Sequence, residues 1–423
     1  MSAVGIENIP DTRKQQIKEM VGNIRNSVTL GLNSLKNSSR KINTTQTGYQ
    51  IPYFVQGYTG NTALAPRSGS NSFLQSNPPE TKSMWVGLSY NFKVMQAQGM
   101  LLNDLNSKES LISEMKLRSL AIEDFMKQLN YDFYGDGTGT RARVTSVAAG
   151  TFTGTTAAQT TPGWTKGAHR LQANTTYDIV DETSFAVVGT ITPTRNGTGS
   201  ATVPVTTTGV PNNANAYVVE QGKYNLVPMG LGGLISNSDR IMQGLDTTDY
   251  PEFNNSVIDL NGAAITAATI GTLATRVRIR TAKPGQLGAI GHIPPGLYNT
   301  LAITGYSARL YNAEKGMALT SYGTPTEYSD RDIAWVVDPD MDEDRVYCRN
   351  AEDFAIFEAM PFGPVKEDGL DWRQNPGANN VGAWEYFKQV GWVYNVGFEG
   401  DRGSDASAYV IRSAVVDSQV NSY

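Results

Sequence analysis

Between Met84 and Val94 the chain alternates without a fault. Met84, Val86, Leu88, Tyr90, Phe92 and Val94 are apolar or aromatic, and Trp85, Gly87, Ser89, Asn91 and Lys93 stand between them. A side-chain period of two is the signature of a strand with one apolar face. Eleven residues at ~3.3 Å each reach about 36 Å, against roughly 20 Å for an ordinary strand. Residues 46–83, just before, are interrupted throughout by Gly, Ser, Asn and Pro and carry little core of their own. A strand that outruns one globule, entered through such an excursion, predicts a projecting hairpin whose apolar face is covered by a neighbouring copy.

A long helix follows. Asn106, with Glu109 three residues later, forms a start resembling a capping box. Leu111, Met115, Ile122, Met126, Leu129 and Phe133 then recur at helical spacing, with Ile112, Leu120 and Phe125 widening the stripe. The spacing predicts a helix from Ser107 to about Tyr134, ~42 Å long at 1.5 Å per residue. It stops at "YGDGTG", which holds Gly135, Gly137 and Gly139. Glycine turns this dense often hold phosphate, but phosphate loops precede a helix, where free N–H groups and the positive dipole end lie. These glycines follow one, and the Lys-Ser/Thr ending of a phosphate-binding loop is missing. Gly135 instead suits the left-handed residue that ends many helices.

Other chemistry is poorly supplied. The 423 residues include two histidines, His169 and His292, and one cysteine, Cys348. Zinc sites want four clustered ligands, and the two histidines lie far apart. Neither sits near a nucleophile elbow, so Ser-His or Cys-His hydrolysis has no support. His292, between an apolar strand and a Pro-Pro turn, reads as structural. The run Asp338, Asp340, Asp342, Glu343, Asp344 resembles a calcium loop, but Glu343 stands where Gly is required and Arg349 where the closing Glu belongs. It reads as a solvated turn. No cofactor, metal or catalytic site is expected. No run of about 18 apolar residues predicts a membrane span, and the N-terminus lacks the apolar core of a signal peptide. One cysteine allows no internal disulfide.

Charge divides unevenly. Residues 1–50 carry seven basic side chains (Arg13, Lys14, Lys18, Arg25, Lys36, Arg40, Lys41) against three acidic ones, net +4, which leaves −9 elsewhere in a chain of net −5. Ile17, Met20, Val21, Ile24, Val28 and Leu35 recur at helical spacing after Pro10-Asp11, predicting a basic amphipathic helix. Such a helix suits a membrane surface, nucleic acid, a partner's groove or packing on its own chain. Residues 148–215 turn to Thr, Gly, Ala and Asn, with strand-like pieces and an Asn-Gly hairpin turn in "PTRNGTGS". They read as a small inserted β unit. Beyond it come a helix in "NGAAITAATIGTLATRVRIR", a buried strand in "QLGAIGHIPPGLYN" and alternating strands to the end. The length exceeds the roughly 250–300 residues one core supports, so more than one unit is expected.

Four segments carry a resemblance. "SYNFKVMQAQGMLLNDLNSKESLISEMKLRSLAIEDFMKQLNYDFYGDGTG" is similar to the extended-loop return strand, spine helix and glycine turn of the major capsid proteins of tailed bacteriophages, whose fold encapsulins and the herpesvirus capsid floor share. "YVVEQGKYNLVPMGLGGLI" resembles the segment leaving an inserted domain in that family. "IAWVVDPDMDEDRVYCRNAEDFAIF" resembles its axial-domain strand, acidic turn and strand, and "WEYFKQVGWVYNVGFEGDRGSDASAYV" its closing strands. The order of these pieces is more specific than any one of them.

The resemblance implies an α+β capsid fold. Its parts would be an N-terminal arm (1–49), an extended loop (50–98), a peripheral domain with the spine helix (99–147), an inserted β-rich domain (148–222), a peripheral return (223–260), a mainly axial domain (261–365) and shared closing strands (366–423). It implies hexamers and pentamers tiling an icosahedral shell in the virion, assembled in the host cytoplasm, with a portal at one vertex and no membrane. The basic arm would meet scaffold or packaged double-stranded DNA through salt-sensitive contacts. With no long helical segment ahead of the arm, a separate scaffolding protein is expected, and a cement or decoration protein is a further candidate partner. Some members cross-link Lys to Asn; Lys82 and Lys93 flank the long strand, but no matching Asn or Glu is assignable. Two other classes stay open: a virion adhesin or glycan-binding decoration protein, suggested by the Thr/Gly/Asn-rich unit and Trp164, and, more weakly, a nucleotide-dependent enzyme using Gly137.

Overall fold

The computed structural model describes residues 30–35, 39–41, 47–56, 80–98, 108–148, 150–154, 170–197, 202–209, 216–237, 239–260, 265–279, 289–299, 301, 333–341, 345–350, 353–365, 373–374, 385–398 and 414–417. These form a mixed α+β molecule with three main apolar cores.

The first core is built on a long helix. Helix α1 (Leu30–Asn33) is a single turn, and α2 (Lys108–Tyr134) runs 27 residues, about 40 Å at 1.5 Å per residue. Ile122, Phe125, Met126, Leu129 and Phe133 are buried on one face of α2, as the spacing requires. Leu120 departs from the expected stripe and is exposed. Leu111 and Met115 lie in the helix, with side chains outside the described residues.

Against α2 pack a sheet and a hairpin. The sheet takes β1 (Ser39–Lys41), β4 (Ser89–Gln98), β17 (Phe354–Pro364), β18 (Arg373–Gln374) and β19 (Glu385–Phe398). β1 lies parallel to β17, β17 antiparallel to β19, and β4 and β18 antiparallel to β19. The hairpin pairs β2 (Gly48–Gln56) with β3 (Glu80–Gly87). Leu32, Leu35, Ile51, Met84, Val86, Phe357, Trp392 and Tyr394 meet the helix face in the one core.

The expected continuous strand from Met84 to Val94 is broken at Leu88. Its first half, β3, pairs with β2, and its second half, β4, pairs with β19 in another sheet. At the break the Leu88 N–H donates to the Thr47 carbonyl (3.0 Å), and the Asn395 side chain donates to the Gly87 carbonyl. The inward face changes parity there. Met84 and Val86 point into the core, but beyond the break Ser89 and Asn91 are buried while Tyr90, Phe92 and Val94 are exposed; Leu88 is half-buried.

A six-stranded closed barrel interrupts this frame. β5 (Thr140–Ala148), β6 (Thr151–Gly154), β7 (Tyr177–Asp181), β8 (Val187–Pro193), β9 (Thr202–Gly209) and β10 (Ala216–Glu220) pair antiparallel in the order β10-β5-β6-β9-β8-β7, and β7 closes on β10. Closure leaves no free edge. Val144, Phe152, Ile179, Ile191, Val203 and Val218 fill the interior. The barrel begins at Thr140, upstream of the sequence-based boundary at 148.

The chain returns through α3 (Leu231–Leu234), the short pair β11 (Ile241–Met242) and β12 (Leu245–Asp246), and a 3-10 turn, Pro251–Phe253. The third core lies between α4 (Ala267–Ile279) and a mixed sheet. That sheet contains β13 (Ser256–Asp259), β14 (Ala289–Ile293), β15 (Ile333–Val337), β16 (Arg345–Asn350) and β20 (Ala414–Asp417), in the order β13-β20-β16-β14-β15.

Candidate functional site: an exposed apolar strand and the junction behind it

β4 is ten residues long and, among the described residues, has one strand neighbour, β19. Its polarity is inverted for a lone chain. Inward, Asn91 Nδ2 donates to Ser89 Oγ (3.2 Å), and Ser89 Oγ donates to the Leu226 carbonyl (2.6 Å). Outward, Tyr90, Phe92 and Val94 are 56 %, 41 % and 48 % exposed. Phe92 lies across from Gly391 in register, and a Cβ at 391 would strike its ring, so the missing side chain seats the aromatic. Full burial of one such side chain contributes roughly 1.5–3 kcal/mol, so about half of that per residue is still open to another molecule.

The glycine turn serves the frame. Gly137 (φ +90°) and Gly139 (φ +81°) are left-handed, whereas Gly135 is not among the positive-φ residues, which corrects the expectation that it is the left-handed helix stop. The Gly135 N–H instead bonds the Asp132 carbonyl (3.0 Å) and tightens the last turn. The Gly135 carbonyl accepts from the Gly233 N–H (3.2 Å). A Cβ on Gly230 would collide with the carbonyls of Asp132, Phe133 and Gly135. The glycines of "MGLGGL" therefore let α3 abut the carbonyl end of α2. Next to this contact Arg141 on β5 grips Asp132 with two bonds, 2.5 and 3.1 Å, with both side chains buried. Burial works against the Arg141 charge, but the adjoining Asp132 carboxylate holds its pKa above the ordinary value.

The acidic turn also differs from expectation: Asp338 and Asp340 are buried, not solvated. Desolvation is offset by donors. Asp338 Oδ2 accepts from Gly31 N (3.0 Å), Asn130 Nδ2 (2.9 Å) and Tyr134 OH (3.0 Å), and its Oδ1 accepts from Asp340 N (2.9 Å). Asp340 Oδ2 accepts from Asn130 Nδ2 (3.1 Å), and the Asp340 carbonyl accepts from Arg170 (3.1 Å), whose guanidinium lies 4.6 Å from the Tyr131 ring centre. His292 is buried between Tyr134 and Arg349. Asp342, Glu343, Asp344 and His169 lie outside the described residues. This junction ties α1, α2, β14, β16 and the segment beside the barrel together. Its sequence signal was Asn130, a polar residue four positions from Met126 and from Tyr134 on the buried stripe.

Of the basic arm, Arg40 and Lys41 lie on β1, in register with Phe357 and Glu358, with side chains outside the described residues. Arg13, Lys14, Lys18, Arg25 and Lys36 lie outside them altogether, as does the proposed helix through Ile17 and Val28. Leu35 is buried in the first core. Among the described residues no three His, Cys, Asp or Glu side chains converge as metal ligands, and no helix is long and apolar enough to cross a membrane.

No family model and no curated protein matches the chain. Solved structures are similar to it over nearly its whole length. A cyanophage A-1(L) capsid asymmetric unit is 11 % identical with TM-score 0.46, covering 93 % of this chain and 93 % of that one. A structure from Mycobacterium phage Bobi is 6 % identical with TM-score 0.46, covering 91 % and 90 %. A virus-like particle from Pyrococcus furiosus is 9 % identical with TM-score 0.38, covering 95 % and 98 %.

Proposed function

We propose that the chain is a self-assembling shell subunit, the major capsid protein of a tailed-phage-type virion. One observation carries this reading: β4 buries Ser89 and Asn91 and presents Tyr90, Phe92 and Val94 outward. That pattern is unfavourable for a monomer and is relieved when another copy covers the strand. In this reading β2 and β3 form the base of the extended loop, α2 is the spine, the sheet around β14 belongs to the axial domain, and the barrel is the inserted domain. Copies associate as hexamers and pentamers through heterologous contacts that close into a shell. The basic residues Arg13, Lys14, Lys18 and Arg25 favour a scaffolding protein during assembly and double-stranded DNA afterwards. A portal and a cement protein complete the partner set, and the work is mechanical, not catalytic.

The test is electron microscopy of the expressed protein, alone and with its scaffold. Shells or capsomers are expected from the wild type. A Tyr90→Ser/Phe92→Ser double variant should keep the far-ultraviolet spectrum of the folded chain and yield no shells. A wild-type chain that stays monomeric under every assembly condition would end the reading.

A second role for the barrel is favoured by a specific pair. Phe185, at φ +56° in an exposed turn, stacks on Tyr224 at 6.4 Å between ring centres. An exposed aromatic held in a strained conformation suits glycan stacking. A flat glycan-array response from assembled wild-type protein would remove this role.

A further inference from the structure

Four buried side chains form a continuous relay behind α1. Arg349 Nε donates to His292 Nε2 (3.3 Å), His292 Nδ1 lies 3.3 Å from Tyr134 OH, and Tyr134 OH donates to Asp338 Oδ2 (3.0 Å). A phenol has one proton. Since Tyr134 gives it to Asp338, His292 Nδ1 must carry its own proton and donate to the Tyr134 oxygen, with Nε2 left to accept from Arg349. The network thus assigns a neutral imidazole, protonated at Nδ1. Both ends of the relay grip the same piece of chain. Asp338 accepts the Gly31 N–H (3.0 Å), and Arg349 Nη2 donates to Ser34 Oγ (2.9 Å) and to the Ser34 carbonyl (3.3 Å).

We propose that this relay is an acid-sensitive latch on residues 30–35: protonating His292 removes the acceptor of Arg349 and sets two cations face to face, and the segment is released. The proton comes from hydronium: its O–H bond breaks, leaving water, and an N–H bond forms at Nε2 with the lone pair that had accepted from Arg349 Nε. The titratable groups around His292 are Tyr134 from α2, Arg349 and Tyr347 from β16, and, through Tyr134, Asp338 and Asp340 after β15. Lys127 approaches Asp340 (3.9 Å), and Cys348 and Asp353 also act on the Arg349 charge. Burial first, and the Arg349 charge second, push the His292 pKa well below its ordinary value.

The sign follows from linkage. In the closed latch His292 is neutral, and opening admits water and returns its pKa toward the ordinary value of about 6.5. Closure is therefore at full strength above that pH and weakens as pH falls, by about tenfold in the open-to-closed ratio per pH unit, until the depressed closed-state pKa is reached. Asp340, raised by burial, acts in the opposite direction: it favours the closed form as pH falls through the carboxylate range. The latch is a property of one chain, so it stands or falls separately from the assembly reading.

Hydrogen-exchange mass spectrometry on the full chain tests it, with rates for peptides covering 30–35 normalised to intrinsic exchange at each pH. In the wild type, opening should rise about tenfold per unit from about pH 6.5 downward, while peptides from β17 and β19 stay protected. His292→Gln keeps an acceptor for Arg349 and a donor for Tyr134 and cannot titrate; its slope should vanish. Ser34→Ala should raise opening at every pH and keep the wild-type slope. Flat protection in the wild type, an unchanged slope in H292Q, or the same slope in β17 and β19 would each overturn the latch. Should H292Q not fold, the wild-type series and S34A decide.

Discussion

At the scale of residues, the glycines that look alike in the sequence do different work. Gly230 and Gly233 are needed because other backbone lies where a Cβ would go, whereas Gly222 (φ +72°) has nothing within 4 Å and is needed for its backbone angle alone. Gly230→Ala should therefore cost about 1–3 kcal/mol or more, since carbonyls cannot move aside as side chains do. Gly222→Ala should cost about 1–2 kcal/mol. Chemical denaturation of the two variants would show whether that order holds. Asp132→Ala leaves the Arg141 guanidinium buried without its carboxylate and should cost about 3–5 kcal/mol, read as a lower unfolding midpoint. The same comparison explains what was legible. Gly137 and Gly139 were recognisable as turn residues because they follow an apolar helical stripe. Their counterparts in "MGLGGL", nearly a hundred residues later, make sense only once α3 is seen against the end of α2.

At the scale of elements, the end of α2 was readable to the residue because its apolar stripe and the glycine run after it agree, while the expected cap at Asn106 lies outside the described residues. The β4 half of the long alternation was readable as a strand, but its pairing was not. Perfect period two predicts one face, and here tertiary pairing overrides it: Leu88 turns the chain from the hairpin to the β19 sheet, and the apolar side swings from core to surface. Asp338 and Asp340 were misread for a related reason. Acidic residues in a turn are usually solvated, and the donors that bury these come from Gly31, Asn130 and Tyr134, all distant in sequence. The helix supplies a discriminating pair of variants. Leu129→Ala should cost about 2–5 kcal/mol of monomer stability. Leu120→Glu, on the exposed side, should change it by no more than about 0.5 kcal/mol. A urea midpoint that moves for Leu120→Glu as far as for Leu129→Ala would mean the stripe is wrongly placed.

At the scale of the whole molecule, the cores on α2 and beneath α4 adjoin at one polar junction, which Arg170 joins from beside the barrel, and the inserted barrel has an interior of its own. The barrel leaves the frame where it entered it: β10 pairs with β5, and Val219 lies in register with Thr140. Replacing residues 140–220 by a short glycine linker should therefore leave a folded frame with a reduced β signal in circular dichroism. That frame would be weaker by the loss of the Arg141–Asp132 and Arg170–Asp340 links. A deletion variant that fails to fold would show that the barrel is part of the frame. Apart from those links, the Gln128–Gln172 bond (2.9 Å) and the Arg170–Tyr131 contact, the geometric condition at the junction is the ~4.8 Å between adjacent strands. Any closed β unit whose first and last strands are neighbours meets it. Exchange of modules at this position, with a partner kept for Asp132, thus needs no redesign of the sheets or of the exposed strand β4, and the same two strand ends offer a socket for grafting a foreign domain.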